Sequence, residues 1–232
     1  MKNQYFGDFG DYQKFSLLKY LRDIGNLSIT VHWMKTKDDS SNDGAKIKYL
    51  SNPSEWDSFD PKIFGFLDKH IKLNQRDLSL YEKSFHAKDI SFINDHVEDI
   101  SIRNKLIQGI KTDKDSDIIF FDPDNGIEVK STNVKNLHKY ITWEDIKIAF
   151  DSGKSVLVYQ HYSRMNRDKF IRGKLDGFNK LFKDAVFVIR AKHSVYFLLA
   201  QKKHASKISK SLKEYQNNWK ELIKVFDPSA SK

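Results

Sequence analysis

Three observations predict an α/β fold built on a mostly parallel sheet. Ile118 to Phe121 (IIFF) and Ser155 to Tyr159 (SVLVY) are apolar without alternation, the pattern of short strands buried on both faces. Strand-like runs alternate with helical segments opened by capping residues, so parallel strands joined by helical crossovers follow. Near the C-terminus, Ala185 to Ile189 and Val195 to Ala200 flank only Arg190 to Ser194. That gap is too short for a crossover, so these two strands form an antiparallel hairpin. Helices on both faces of such a sheet give three layers, with an antiparallel strand near one edge.

Each element has its own signal. Asp11 is a candidate cap for a helix whose apolar stripe runs through Phe15, Leu17, Leu18, Leu21 and Ile24, closed by Gly25. Leu27 to Trp33 is rich in β-branched residues and reads as the first strand. Lys35 to Lys46 is a polar loop, and Pro53 to Phe59 is irregular. Asp60-Pro61 starts a helix that runs to about Leu73, with Pro at its first position. Asn74 to Lys88 has no settled period. Ile90 to Ile93 is a short strand, followed by a helix from about Val97 to Ile110. Thr142-Trp143-Glu144-Asp145 has the form of a capping box, opening a helix that ends at Gly153. Asn166 to Phe182 is helical, and His204 to about Lys224 is a basic helix followed by a tail.

With 232 residues, no linker and no repeat, a single domain over 1–232 is expected. A hydrophobic content of 39%, including 17 Phe and 10 Tyr, supplies the volume for a packed core. The absence of Cys excludes disulfides, thiolate metal sites and a Cys nucleophile. No apolar run reaches spanning length, and MKNQYFGDFGDY lacks the apolar core of a leader, so a cytoplasmic protein without membrane association is expected. The formal charge of +9 favours RNA or DNA as partner, and it also fits lysines that merely solvate the surface. The lysines from Lys202 to Lys213 on the last helix admit the same two readings.

The chemistry is expected at the carboxyl ends of the strands, where open α/β sheets bind ligands. After Phe121 the chain breaks into Asp122-Pro123-Asp124-Asn125-Gly126, two carboxylates and an amide on a turn. Asp38, Asp39 and Asp43 follow the first strand. Gln160, His161 and Arg164 follow the strand ending at Tyr159, with His161 a candidate general base and Arg164 a candidate phosphate clamp. Asp11 and Lys14 approach the same edge from the N-terminal helix, with Lys14 placed to face a phosphate.

This arrangement resembles the Rossmann-like three-layer sandwich of class I S-adenosylmethionine-dependent methyltransferases, most nearly the ribosomal RNA adenine type. The spacing of Gly7, Asp11 and Lys14 matches their N-terminal G-N-x-x-D-x-x-K-H element. Asp122-Pro123 matches the first half of their D-P-P-Y, where Asn125 replaces the stacking aromatic. The chain is also similar to a bacterial family with the signatures F-F-D-P-D-N-G, here Phe120 to Gly126, and Y-Q-H, here Tyr159 to His161. The second likeness implies no activity. The first implies S-adenosylmethionine as cofactor, Asp38 and Asp39 on its ribose, and Asp122 with the Pro123 carbonyl holding a base amine. No Gly follows the first strand until Gly44, where the methyltransferases carry a Gly-rich turn. Two other readings of the same residues stand. Asp122, Asp124 and Asn125 present hard oxygens for Mg²⁺ or Mn²⁺ in a hydrolase or nuclease that also uses His161, with Asp39 a candidate to share the ion. The third is a nucleic-acid-binding relative without catalysis.

Overall fold

The computed structural model describes residues 1–41, 44–113 and 115–228. Asp43 and the tail beyond Pro228 lie outside the described residues. In chain order the helices are α1 (Phe9–Asp23), α2 (Pro53–Trp56), α3 (Pro61–Lys72), α4 (Leu78–Glu82), α5 (Ile100–Gly109), α6 (Trp143–Asp151), α7 (Arg167–Leu181) and α8 (Lys202–Trp219). The strands are β1 (Ile29–His32), β2 (Ile90–Ile93), β3 (Ile118–Phe121), β4 (Gly126–Ile127), β5 (Tyr140–Ile141), β6 (Ser155–His161), β7 (Val186–Arg190), β8 (Ser194–Leu199) and β9 (Lys224–Phe226).

Seven strands form one sheet in the order β2-β1-β3-β6-β8-β7-β9. β2, β1, β3 and β6 pair in parallel, whereas β8 is antiparallel to both β6 and β7, and β9 is antiparallel to β7. This is the mostly parallel, Rossmann-like sheet with a C-terminal hairpin that the sequence predicts. The second hairpin strand is inserted between β6 and β7.

The apolar runs behave as doubly buried strands. In β3, Ile118 and Phe120 enter one hydrophobic cluster and Ile119 and Phe121 the other, all four at 0% exposure. The first cluster packs α1, α3 and α8 on one face through Phe15, Leu67 and Trp219. The second packs α5, α6 and α7 on the opposite face through Ile107, Ile146 and Phe178. No helix among the described residues is long and apolar enough to cross a membrane.

Four local expectations are corrected. The cap of α1 is Asp8, whose carboxylate accepts from the Asp11 amide; the Asp11 side chain instead accepts from the Gly7 amide. Gln160 and His161 do not follow β6 but end it, because they pair with Val195 and Ser194 of β8. α8 stops at Trp219, where Lys220 takes φ +43°, and the chain returns as β9 along β7. The segment after Asp122 is not only a turn: Gly126 and Ile127 form β4, paired in parallel with Tyr140 and Ile141 of β5.

Candidate functional site

Parallel register brings the carboxyl ends of β1 and β3 level, with His32 opposite Phe121, and sets Phe121 opposite Val158, from which β6 runs three residues further to His161 at the same edge. The residues that come next therefore share one edge. The crossover from β2 to β3 passes β1, so the sheet's switch point lies between β1 and β3. Met1 fills that crevice. Its amino group donates to the Met34 carbonyl at 3.0 Å and the Asp122 carbonyl at 3.3 Å, and pairs with Asp124 Oδ1 at 2.7 Å. The tight turn that a glycine would make after β1 is made by Met34, at φ +47°.

Beside this plug, toward α1 and β6, lies a cavity of about 480 Å³, within the usual size range of small-molecule sites. The Asp122–Asn125 loop forms one wall and the start of α1 another, built from Asp8, Asp11 and Lys14, with no side chain at Gly10 between them. Tyr159 and His161 enter from β6, because alternation puts them on one face of the strand and Gln160 on the other. Lys2, Tyr5, Asp39, Lys139 and the Gly44–Lys46 stretch complete the lining.

Lys14 anchors the wall. Its ammonium lies 2.7 Å from Asp122 Oδ2 and 3.0 Å from Asp11 Oδ1, with all three side chains at 5% exposure or less. The rings of Tyr159 and Trp33 stand 5.5 and 5.8 Å away. Burial alone would lower the Lys14 pKa, but the charges of Asp11 and Asp122 outweigh it and hold it well above the usual lysine range. Burial pushes Asp11 up to about 7; Lys14 opposes the rise, while Asp8 and Asp122 add to it. The cluster therefore contains a carboxyl that titrates near neutrality.

Asp124 and Asn125 are held differently. The Asp124 carboxylate accepts from Thr36 Oγ1 at 2.8 Å and faces the Met1 ammonium. Burial works against its ionisation, yet that ammonium and the Thr36 hydrogen bond keep its pKa below the usual carboxylate range. Asn125 is exposed, while its main chain is clamped: its amide donates to the Lys139 carbonyl, and its carbonyl accepts from Gln160 Nε2, each at 2.9 Å. Gln160 Oε1 also accepts from the Ile127 amide at 2.8 Å. Gly126 sits at φ +102°, where an added Cβ would lie 2.4 Å from the Gln160 carboxamide. The turn and the buried glutamine thus shape one another.

Of the residues expected from sequence, Lys14, Asp122, Asp124, Asn125, His161 and Asp39 meet in this cavity. Asp38 and Arg164 do not line it. Asp38 is exposed and accepts from the Gln4 amide at 3.2 Å. Arg164 is exposed on the loop between β6 and α7. The loop after β1 thus contributes Asp39, whose carboxylate pairs with Lys2. That hydrogen bond and one from Ser41 hold Asp39 below the usual range. Among the described residues no group of three or more His, Asp or Glu is gathered to hold a metal ion, so the metal reading finds no ligand set there.

Sequence reasoning missed Lys2, Tyr5, Lys46, Lys139 and Tyr159. Tyr159 reads as core because it ends an apolar run. Lys139 arrives only through the pairing of β5 with β4, a two-residue contact with no periodicity to betray it.

No family model matches the chain, and no curated protein sequence does. Two solved structures are similar over most of its length. One is a Legionella pneumophila protein described by the family model DUF519, at 12% identity and a TM-score of 0.47, covering 95% of this chain and 96% of that one. The other is human methyltransferase-like protein 13 in complex with SAH, at 10% identity and a TM-score of 0.37, covering 89% of this chain and 92% of that one. The case for a function rests on the residues of the site itself.

Proposed function

We propose that the chain is a cytoplasmic, methyltransferase-like enzyme acting on nucleic acid, with S-adenosylmethionine held in the cavity and a base amine presented at Asn125. The observation that carries this reading is the position of the Asp122–Asn125 loop as the wall of a polar cavity at the carboxyl edge of a mostly parallel sheet. The lining fits such a cofactor: Lys2 and Lys46 suit a carboxylate, Asp39 a hydroxyl or ammonium, and the Tyr5 and Tyr159 rings a flat base or a sulfonium. Gly10 leaves room for close approach to the first turn of α1. Bound there, the cofactor supplies an electrophilic methyl group. The chain supplies position. Gln160 and Lys139 fix the Asn125 main chain, so the Cα–Cβ bond that carries its carboxamide toward a target amine has a set position. Asp122 is occupied by Lys14 and sets the charge of the wall.

Calorimetric titration tests this. Saturable heat with S-adenosylmethionine, unchanged by a chelator and lost in Tyr159→Ala, supports it. Heat with Mn²⁺ that vanishes in Asp122→Ala, and none with S-adenosylmethionine, overturns it in favour of a metal-dependent hydrolase. Neither signal, with salt-sensitive oligonucleotide binding, leaves a binding protein without this chemistry.

A further inference from the structure

We infer that a cationic track runs from the cavity mouth past the start of α7 to the tip of the β7–β8 hairpin, and that it binds the phosphodiester backbone of a single-stranded nucleic acid. This rests on the nucleic-acid reading above and adds where the strand lies.

The track follows from register. His161, at the end of β6, pairs with Ser194 at the start of β8, so the hairpin tip with Lys192 and His193 stands beside the strand end that lines the cavity. The loop carrying Arg164 leaves from that same end and opens α7, where the Arg167 guanidinium lies 5.1 Å from the centre of the Tyr162 ring. Lys46 and Lys139 add cations at the cavity itself. Arg164, Arg167, Lys192, His193, Lys46 and Lys139 are all exposed. The nearby carboxylate of Asp168 is engaged by Arg190 at 2.6 Å, so it does not cancel the field. Burial lowers the His193 pKa, and Lys46, Lys192, Arg167 and His161 each lower it further, as expected of cations crowded on one surface.

The chemistry favours nucleic acid over a lipid surface. The cations border a concave cavity lined by the Tyr159 ring, and charges that pair phosphates beside an aromatic face are the combination that holds a strand while giving a base something to stack on. A base must leave any duplex to enter a cavity of this kind, which favours a single strand.

The test is a salt titration of binding to a fluorescein-labelled single-stranded oligonucleotide of mixed sequence. Each phosphate-contacting cation contributes about 0.7 to the slope of log affinity against log salt on single strands, so Arg167→Gln with Lys192→Gln lowers the slope by about 1.4. Lys202→Gln with Lys203→Gln, at the start of α8 where β8 delivers the chain to the opposite edge, leaves it unchanged. Equal loss in both double variants, no binding by the unaltered protein, or preference for phosphatidylglycerol vesicles through the same residues overturns the track. A parallel titration with S-adenosylmethionine separates this from the proposed activity. Cofactor binding without oligonucleotide binding defeats the track alone; track-dependent oligonucleotide binding without cofactor binding upholds the track and defeats methyl transfer.

Discussion

Lys14→Met removes the ammonium that stands between Asp11 and Asp122. Breaking a buried ion pair by deleting one partner costs roughly 3–5 kcal/mol, because the remaining charge is left without compensation. Here Asp11 softens the loss, since its carboxyl already titrates near 7 and without Lys14 it keeps its proton to higher pH. Asp122 is the charge left stranded. Near pH 6, where Asp11 is protonated with or without Lys14, the cost lies near the low end, about 3 kcal/mol. Above pH 7 the unaltered protein ionises Asp11 and its stability levels off, whereas the variant must still hold the proton. The difference then grows by up to about 1.4 kcal/mol per pH unit. Urea unfolding near pH 6 and near pH 8 measures both quantities. Adding Asp122→Asn to the variant removes the stranded charge and restores at least half of the loss. A cost under about 1 kcal/mol at both pH values, or no recovery in the double variant, would refute the account of this cluster.

Three further outcomes are expected. Gly126→Ala forces a Cβ into the Gln160 carboxamide at a positive φ and lowers stability by about 2–3 kcal/mol; Gln160→Ala in the same chain recovers part of it, and a thermal melt unchanged in the single variant contradicts this. Burial, aided by the charges of Arg103 and the Met1 amino group, lowers His32 from 6.5 to about 3. The unfolded chain therefore takes up a proton that the folded one refuses, and stability falls with falling pH across that window by up to about 1.4 kcal/mol per unit. His32→Leu flattens that slope, and identical slopes count against the assignment. Asp145→Ala strands Arg103, itself 2% exposed, and breaks the capping box of α6. The expected loss is roughly 3–5 kcal/mol in denaturant unfolding, and a loss below about 1 kcal/mol contradicts it.

What sequence made legible follows the range of the interactions involved. β3 begins and ends where its apolar run does, because its burial is written in consecutive residues; β2 has the expected bounds although Ser91 within it is exposed. The Thr142–Asp145 capping box closes within four residues and is present as read. The α1 cap was misplaced because Asp8 and Asp11 are both competent caps three residues apart, and only the fold turns Asp11 inward toward Lys14. β9 was missed because three residues gain strand character solely from β7, which precedes them by more than thirty positions. The site divides in the same way. Asp122, Asp124 and Asn125 announce themselves as polar residues after a buried strand. The Met1 plug, the Lys14–Asp122 pair and the approach of Lys139 depend on contacts across the chain that no local pattern encodes.

Ligand binding in the cavity walled by Asp122–Asn125 can be mapped residue by residue. Backbone amide NMR of the full chain, titrated with S-adenosylmethionine, addresses it most directly. Saturable shifts are expected at Lys2, Tyr5, Gly10, Asp39, Asp124, Asn125, Tyr159 and His161, with the amides of α8 unmoved. No saturable shift, or shifts centred on α8 and β9, would contradict it.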